Sequence, residues 1–347
     1  MKPRPLARRL LAWWDVNRRE LPWRAAAGEP ADPYRVWLSE VLLQQTTAAV
    51  AGPYYLRFLR RWPTVEALAA ASLEEVIETF AGLGYYARAR NLHACAQEIA
   101  RRGEGFPNSA AALRALPGIG AYTAAAVAAI AFGEAAAAVD GNVARIVARL
   151  VALPAPIAES RAAIAATVAE LIPANRPGDF AQAMMDLGAM VCRPRNPDCA
   201  ACPLRADCAA ALAGQAEAYP RRAAAKSRPV RFGAAYFAAR RDGSFLARRR
   251  PAKGLLGATL ELPGPPWRRA EEGGVDPTPP FAADWRRLPS EVEQVFTHFV
   301  LRLTVHAANV ETAPSEPTDL FWVAAEEAGR AGFSSAMRKA IAHARIA

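Results

Sequence analysis

The sequence predicts a multidomain protein in which an all-helical half is followed by a mixed α+β half. Residues 6 to about 212 contain alanine-rich helical segments separated by short Gly- or Ser-containing turns. Residues 215–231 are short of apolar side chains and rich in Arg, which predicts an exposed basic connector. Beyond the connector, short apolar runs between turn signals predict strands.

Composition limits the kind of protein this can be. The chain has 347 residues, enough for two domains and a small additional module. Lys and Arg outnumber Asp and Glu by 43 to 33, giving a net charge of +10, which favours a polyanionic partner such as nucleic acid. The alternative explanation is Arg-rich codon usage.

No targeting or membrane segment is evident. The apolar run Leu10–Trp14 is too short for a signal sequence and is followed at once by Asp15. The longest apolar stretch, Ala121–Val139, is mostly alanine and includes Glu134, so we expect a buried helix and no membrane span. A soluble, cytoplasmic protein is expected.

Local signals place the predicted elements. Ser72 and Glu75 form a capping-box pattern, and Ser109 precedes another helix start. Turns are predicted at Gly82–Gly84 and Gly103–Gly105. The predicted strands cover residues 234–239, 244–248, 295–305 and 320–323, and residues 240–243 form a hairpin turn between the first two.

Four of the five cysteines lie in one short segment, at Cys192, Cys199, Cys202 and Cys208. Four thiolates so close in sequence can converge on a zinc ion or on an iron–sulfur cluster. Disulfides are less favoured, because no secretion signal is present and bridges here would restrain little of the chain. The single C-x2-C pair, flanked by longer spacings, favours a cuboidal cluster over zinc.

The segment Leu116–Gly120 predicts a hairpin between two helices. Gly118 and Gly120 allow the backbone to turn so that successive amides face outward at the start of the next helix, where a phosphate can bind. Such a helix-hairpin-helix motif binds the DNA backbone without sequence preference. A plain helix–helix turn is the alternative.

Two carboxylates are candidate catalytic groups. Glu40 lies in an otherwise apolar helical segment, where burial would raise its pKa and let it donate a proton. It could also mark the polar edge of that helix. Asp140 opens another helix, and a helix cap is the simpler explanation for it. Gln45 and Tyr85 lie beside turns and could intercalate into a base stack, or simply pack locally.

Together these motifs resemble the adenine DNA glycosylases of the endonuclease III superfamily, which remove adenine mispaired with 8-oxoguanine. The resemblance spans nearly the whole chain. It is carried by residues 21–24, 36–41, 43–46, 82–88, the hairpin at 116–120, residues 140–143 and 183–189, and the four cysteines.

The resemblance implies roles for the catalytic residues. Cleavage of an N-glycosidic bond needs an acid for the departing base and a carboxylate facing the sugar. Glu40 corresponds to the acid that protonates adenine N7. Asp140 corresponds to the carboxylate that stabilises the oxocarbenium ion or forms a transient adduct. Tyr122 and Asn142 correspond to hydrogen-bonding supports. Tyr122 stands where the bifunctional lyases carry a Schiff-base lysine, which implies base excision without strand cleavage.

Further residues are assigned by the same resemblance. The residues that correspond to the lining of the extruded-adenine pocket and its approach are Trp23, Arg24, Gln182 and Met185. The residues that correspond to intercalating side chains near the lesion are Gln45 and Tyr85. The cysteines hold a [4Fe-4S] cluster. Arg193 and Arg195, between the first two cysteines, are expected to contact the DNA backbone together with Gly118 and Gly120.

The carboxy-terminal half resembles the Nudix-like module that recognises 8-oxoguanine in this family. Residues 265–272, after Leu262–Gly264, lack the Glu-rich core of a Nudix hydrolase, so the domain is expected to bind and not to hydrolyse. The lesion-recognition motif Phe-Ser-His appears as Phe296-Thr297-His298, and Gln294 stands where a histidine is frequent. Thr297 keeps the hydroxyl, but β-branching restricts its rotamer.

The sequence therefore predicts three parts. Residues 1–212 form the helical glycosylase domain, with a six-helix core at about 31–140 and a cluster module from 1–30 and 141–212. Residues 213–230 form the connector, and residues 231–347 form the Nudix-like 8-oxoguanine-recognition domain. The expected partner is duplex DNA with 8-oxoguanine:adenine or guanine:adenine mispairs, bound by a monomer. Two alternative functions are a glycosylase for another base, such as mismatched thymine, and a DNA-binding iron–sulfur redox protein.

Overall fold

A computed structural model describes residues 3–26, 29–221, 228–251, 254–269, 278–315, 317–329 and 331–346. The chain divides into two units. The first comprises Met1–Ala71 and Asn91–Ala224, and the second comprises Ser72–Arg90 and Ala225–Ala347. The inclusion of Ser72–Arg90 in the second unit is not predicted by the sequence. Much of the predicted connector, residues 222–227, lies outside the described residues, as do residues 270–272 of the segment compared with the Nudix core.

Helices occupy most of the described amino-terminal part of the chain. They are α1 Pro3–Asn17, α2 Pro33–Leu43, α3 Ala48–Arg61, α4 Val65–Ala70, α5 Leu73–Phe80, α6 Ala87–Arg102, α7 Ala110–Leu113, α8 Ala121–Phe132, α9 Gly141–Leu150, α10 Arg161–Leu171, α11 Pro177–Met190 and α12 Ala209–Leu212. Within the described ranges, no helix has the length and apolar character needed to cross a membrane.

Helix ends follow the capping chemistry of the sequence. The predicted capping box is confirmed, because the Ser72 hydroxyl accepts from the Glu75 amide and the Glu75 carboxylate accepts from the Ser72 amide. Ser109 caps α7, also as predicted. The predicted helix over Ala121–Val139 is too long: α8 ends at Phe132, because Gly133 adopts a left-handed conformation with φ of 72° and terminates it.

A hydrophobic core in the first unit joins α1, α9, α10 and α11. Its buried side chains include Leu10, Trp14, Val147, Ile164 and Met184. Each large apolar side chain buried in this way contributes about 1.5–3 kcal/mol relative to exposure. Three of the four clustered cysteines pack against this core. The core therefore fixes the cysteine segment against α9, the helix that begins beside Asp140.

Small residues let α11 approach its neighbours closely. A Cβ added at Gly188 would lie 2.5 Å from the Asn142 Cβ, and one added at Gly178 would lie 2.6 Å from the Ala129 carbonyl oxygen. The contact between α8 and α11 is filled by buried alanines such as Ala125 and Ala181. Close packing of this kind holds α11 against the second half of α8 and against the first turn of α9.

The second unit is built on a mixed sheet of the described strands β1 Val230–Ala239, β2 Phe245–Arg249, β3 Leu260–Glu261, β4 Arg268–Arg269, β5 Arg286–Val295, β6 Val300–Asn309 and β7 Leu320–Val323. The main order is β3-β2-β1-β6-β5, with β4 paired to β1 and β7 paired to β2. Strands β1 and β6 are parallel over ten residue pairs, from Val230 with Val300 to Ala239 with Asn309. The predicted hairpin is confirmed by pairing of Ala239 with Phe245.

One face of this sheet is covered by a carboxy-terminal helix, α13 Ser335–Ile346. Alternate residues of the strands, including Phe237, Leu303 and Val305, pack with Met337 and Ile341 of α13. The predicted single strand over 295–305 is wrong. The chain turns at residues 296–299 between antiparallel β5 and β6, so the Phe-Thr-His motif lies at a hairpin tip.

Candidate active site

The candidate catalytic residues of the first unit line one cleft of about 1110 Å³. Its walls come from α2, the α2–α3 turn, the hairpin before α8 and the first turns of α8 and α9, with side chains from α11. The predicted residues in its lining are Trp23, Arg24, Glu40, Gln45, Gly118, Gly120, Tyr122, Asp140, Asn142, Gln182 and Met185. The fold thus brings together residues from 23 to 185 in the sequence.

Glu40 is a buried carboxyl in the wall of this cleft. It lies on α2 and is 4% exposed. Burial raises the pKa of Glu40 to about 7, and the hydrogen bond from Tyr122 and the nearby Arg24 lower it while Asp140 raises it. Its Oε2 atom has no hydrogen-bond partner among the described residues. Near neutral pH a large share of this carboxyl is therefore protonated and can donate a proton into the cleft.

Asp140 caps α9, as its sequence position predicts. One carboxylate oxygen accepts from the Val143 amide at 2.7 Å, and the other accepts from the Asn142 side-chain amide at 3.0 Å. Asn142 in turn accepts a hydrogen bond from Arg145 at 2.8 Å. The positive end of the α9 dipole and these donors suit a negatively charged group at this point. Asp140 is thereby fixed in position and oriented in the cleft.

Tyr122 connects the two carboxylate sites. It lies in the first turn of α8, and its hydroxyl is close enough to the Glu40 carboxyl to lower the pKa of that carboxyl. Burial and the neighbouring carboxylates raise the pKa of Tyr122 well above its usual value, so the hydroxyl remains protonated. The same hydroxyl lies 3.8 Å from the Met185 sulfur. The first turn of α8 contains no amine that could form a Schiff base with a sugar.

The hairpin before α8 has the geometry needed for backbone amides to face outward. Gly118 has a φ of +72°, and a Cβ there would lie 2.4 Å from the Asn91 Cβ. Only glycine meets both conditions. Gly120 is the N-cap of α8 and has no side-chain cap, which leaves the first amides of α8 free for an anionic ligand.

A buried ion-pair network supports the wall that contains Trp23 and Arg24. Asp186 on α11 is 0% exposed and accepts from both nitrogens of the Arg24 fork, at 2.6 and 2.8 Å. Arg19 and the Trp14 indole also donate to Asp186. Because its guanidinium is engaged with Asp186, Arg24 contributes to the cleft as a wall residue held by α11.

The remaining predicted residues of the cleft differ in how they are held. Gln45 has a φ of 59° in the turn after α2, an uncommon conformation for a non-glycine residue that projects its side chain from a tight turn. The Gln182 side chain donates to the Gly178 carbonyl at 3.4 Å, within α11. Both residues line the cleft.

The predicted lesion-recognition residues lie in the second unit. Tyr85 follows two glycines and itself has a φ of 51°, and its side chain is 50% exposed. Its hydroxyl hydrogen-bonds the Thr297 hydroxyl at the β5–β6 hairpin tip. His298 beside it is exposed. The structure thus joins Tyr85 and Thr297, which are 212 residues apart in sequence.

Arg88 organises the turn that precedes Tyr85. Its Nη2 donates to the Leu83 and Gly84 carbonyls at 3.0 and 3.1 Å, and its guanidinium carbon lies 4.9 Å from the Phe80 ring centroid. Burial lowers the pKa of Arg88 to about 10, so it stays charged at neutral pH. The sequence shows the charge but not this contact, because the turn is formed only in the folded loop.

The four clustered cysteines are half-buried and lie near one another in the first unit. Burial, as the largest cause, raises the pKa of Cys202 to about 11, and part of that rise comes from the neighbouring Cys192, Cys208 and Cys199, so the four side chains lie near one another. Among the described residues, no three His, Cys, Asp or Glu side chains are placed to share a single metal ion. In a cuboidal iron–sulfur cluster each cysteine binds a different iron, and four neighbouring thiols supply the donors that such a cluster would need.

Comparisons with known proteins agree with this geometry. A model described as the HhH-GPD superfamily of base excision DNA repair proteins matches residues 38–173, and a NUDIX domain model matches residues 235–343. Human adenine DNA glycosylase is 34% identical over 394 residues, covering 95% of this chain and 72% of the human protein. The chain belongs to the adenine DNA glycosylase family. The predicted family, fold class and enzyme class are confirmed, and the chain is a DNA glycosylase of base excision repair.

Other relatives match mainly the helical part. Adenine DNA glycosylase of Arabidopsis thaliana is 43% identical over 225 residues, covering 58% of this chain and 36% of that protein. Among solved structures, a thermostable thymine-DNA glycosylase has a TM-score of 0.55 at 29% identity, covering 61% of this chain and 97% of that one. Endonuclease III in a non-covalent DNA complex has a TM-score of 0.51 at 26% identity, covering 61% of this chain and 95% of that one.

Proposed function

We propose that this adenine DNA glycosylase excises adenine paired with 8-oxoguanine or guanine by hydrolysing the N-glycosidic bond. The observation that supports this best is the buried Glu40, whose pKa is raised to about 7 in a cleft that Asp140 and Tyr122 also line. One group can donate a proton while a second, hydrogen-bonded carboxylate faces the other side of the reacting bond. Glycosidic bond cleavage requires such a division of roles.

The proposed chemistry balances charge at each step. Glu40 protonates adenine N7, and the electrons of the glycosidic bond pass to the base, which leaves as neutral adenine. The sugar becomes an oxocarbenium ion, which Asp140 stabilises or traps as a transient adduct. Water then adds to the sugar carbon, and its proton passes to a carboxylate of the site. Tyr122 and Asn142 keep the two carboxyl groups oriented during these steps.

The cleft is proposed to hold the adenine after it leaves the duplex. Extrusion costs a few kcal/mol, and less at a mispair. Trp23, Gln182 and Met185 would contact the base, and Gln45 would enter the space vacated in the stack. The amides at Gly118 and Gly120 would hold a backbone phosphate. These residues all line one cleft of the first unit, so the proposed chemistry requires no residue from a second copy.

Strand cleavage is not part of the proposed activity. A lyase of this superfamily needs an amine that forms a covalent imine with the sugar, and Tyr122 occupies the position that the resemblance assigns to that lysine. Borohydride added during the reaction should therefore trap no enzyme–DNA adduct. Recovery of such an adduct at useful yield would contradict the proposal.

The lesion opposite the adenine is proposed to be recognised by Tyr85, Thr297 and His298. Tyr85 would intercalate beside 8-oxoguanine, and the Thr297 hydroxyl could both donate to and accept from its Hoogsteen edge. The hydrogen bond between the Tyr85 and Thr297 hydroxyls supports a shared role for these two residues.

The four cysteines are proposed to hold a [4Fe-4S] cluster, which when bound cross-links the segment that carries Arg193 and Arg195. Both arginines are exposed, as phosphate contacts require. Replacing both with alanine should weaken DNA affinity and reduce the salt slope by about 2. A matched control is the pair Arg101→Ala and Arg102→Ala, for which no DNA contact is proposed. Equal losses in both double variants would contradict the assignment.

A base-release assay tests the function. Protein is incubated with duplexes holding 8-oxoguanine:adenine, guanine:adenine or guanine:thymine pairs, and alkali then cleaves the abasic sites. Adenine-strand cleavage in the first two duplexes is expected, with none in the third. Release of thymine would favour the mismatch-thymine alternative, and no release from any duplex would favour a DNA-binding redox protein.

A further inference from the structure

Arg149 is a buried cation beside the cysteine segment that the proposed chemistry does not use. It lies on α9 and is 2% exposed. Its Nη1 donates to the Cys192 sulfur at 3.3 Å and to the Arg193 carbonyl at 2.7 Å. Its Nε and Nη2 donate to the carbonyls of Tyr219 and Pro194, both at 3.1 Å. The guanidinium is thus surrounded by the backbone of the cysteine segment.

The acceptors around Arg149 do not supply a compensating charge. Three are neutral carbonyls and the fourth is a cysteine sulfur, and no carboxylate pairs with it in the described part of the chain. Arg145, one helical turn earlier, is also buried and donates to the carbonyls of Cys192 and Gly188 and to the Asn142 side chain. Two like charges four residues apart on a buried helix face repel each other.

A buried cation without a partner strongly destabilises a fold, so a negative charge is expected close to Arg149. Cys192 is the one acceptor that can provide it. Four cysteines joined as two disulfides would be neutral, whereas four thiolates around a metal centre carry net negative charge. The burial of Arg149 therefore favours an anionic metal–thiolate centre, on grounds independent of cysteine spacing.

We propose that Arg149 is the counter-charge of the four-cysteine centre and sets its reduction potential. The inference rests on the proposed [4Fe-4S] cluster. A neighbouring cation and an N–H donor to a ligating sulfur both stabilise the form with one more electron, and therefore raise the reduction potential. Arg149 is a positioning residue, because it acts on the cluster through Cys192.

Arg149 also links the two ends of the cysteine segment. Its side chain contacts Cys192 at the start of the segment, and its own carbonyl lies 3.4 Å from the Cys208 sulfur at the end. Loss of the guanidinium should therefore loosen the ligand set as well as change its charge. Outer hydrogen-bond partners of metal ligands typically contribute roughly ten- to a hundredfold to metal retention.

The test compares Arg149→Met, Arg149→Lys and Arg193→Met in the full-length protein, without DNA. Arg193→Met is the matched control, since it removes one charge from the same segment but at an exposed position. Iron and sulfide content, the rate of iron loss to a chelator, and the reduction potential from an electrode titration are measured. Arg149→Met should lower the potential and speed iron loss roughly ten- to a hundredfold. Arg193→Met should leave both near the native values.

Arg149→Lys keeps the positive charge but reaches fewer hydrogen-bond acceptors. The reduction potential of the cluster in this variant should therefore stay closer to the native value, while iron loss still accelerates. If Arg149→Met does not fold, Arg149→Lys alone tests the inference. Native values for both measurements in Arg149→Lys, or in a folded Arg149→Met, would overturn the inference. A native protein that holds no iron would overturn the cluster proposal together with it, whereas adenine release by that protein would leave the proposed function standing.

Discussion

Glu40 shows how burial shifts the pKa of a carboxyl toward neutrality. On a solvated helix its pKa would be near 4.5, and burial raises it to about 7. The sequence indicates this only indirectly, because a carboxyl among Val, Trp and Leu can either be buried or mark the polar edge of its helix. The fold buries Glu40 where α8 packs against α2, with Tyr122 of α8 close to it. Asp140, the N-cap of α9, is near enough to raise the pKa of Glu40.

The pH dependence of excision should follow the protonated form of Glu40. With a pKa of about 7, the Glu40 carboxyl is mostly protonated below that pH and mostly ionised above it. Because only the protonated form can donate a proton, the single-turnover rate should fall about tenfold per pH unit above 7. Glu40→Gln should be roughly 10² to 10⁴-fold slower and flat over this range. Glu104→Gln, an exposed control, should keep the native profile. A Glu40→Gln profile that matches the native one would contradict the role.

Gly188 is predicted to be essential for positioning Asn142. A methyl group there would meet the Asn142 Cβ at 2.5 Å, so Gly188→Ala should displace the start of α9 and cost about 1–3 kcal/mol of unfolding free energy. Excision should slow while DNA affinity changes less. Gly52→Ala in α3 is the control, since nothing lies within 4 Å of its added Cβ. Equal thermal stability and activity in the two variants would contradict this account.

Helix α9 links the candidate cleft to the cysteine segment. Asp140 is its N-cap and Asn142 lies in its first turn, whereas Arg145 and Arg149 lie further along it, beside the cysteine segment. Asp140 as a cap could be predicted from the sequence. The burial of the two arginines could not, because residue type alone favours exposure for Arg, although their spacing on one face of an apolar helix was a signal available in the sequence.

The turn before Tyr85 is a small element that depends on Arg88. Arg88→Met removes both hydrogen bonds to the Leu83 and Gly84 carbonyls, so Tyr85 should lose its fixed orientation. The ratio of excision opposite 8-oxoguanine to excision opposite guanine should then fall roughly tenfold, toward the value for Tyr85→Ala.

The control for this prediction is Arg101→Met, on the same helix as Arg88. The Arg101 side chain is 71% exposed and pairs with Glu98, so its loss should leave the ratio unchanged. Combining Arg88→Met with Tyr85→Ala should add little to Tyr85→Ala alone, because both act on one side chain. Additive effects, or a native ratio in Arg88→Met, would show that Arg88 does not position Tyr85.

The sequence predicted the order of domains, the capping motifs and the residues of the cleft better than the lengths and partners of elements. It missed the end of α8 at Gly133 and the turn at residues 296–299, because apolar side chains continue through both. It also missed the packing of Ser72–Arg90 in the second unit and the buried Asp186 network. These depend on contacts between residues distant in sequence, which local patterns do not specify.

The proposed role of the second unit in lesion recognition can be tested at Thr297. Thr297→Val keeps the shape but removes the hydroxyl, so excision opposite 8-oxoguanine should slow roughly three- to tenfold while excision opposite guanine changes little. Thr297→Ser keeps the hydroxyl and should retain or improve the preference. Single-turnover rates with both duplexes measure this. Equal preference in the Val and Ser variants would remove Thr297 from lesion recognition.

The variant Asp140→Asn tests the catalytic role of the carboxylate while leaving folding and DNA binding intact. Asparagine caps a helix as well as aspartate does, so α9 should remain intact. The measurement is single-turnover adenine release from an 8-oxoguanine:adenine duplex, with affinity for the same duplex determined in parallel. The expected result is native affinity with release reduced to background. Release at a substantial fraction of the native rate would show that the oxocarbenium ion is stabilised without this carboxylate, and would contradict the proposed mechanism.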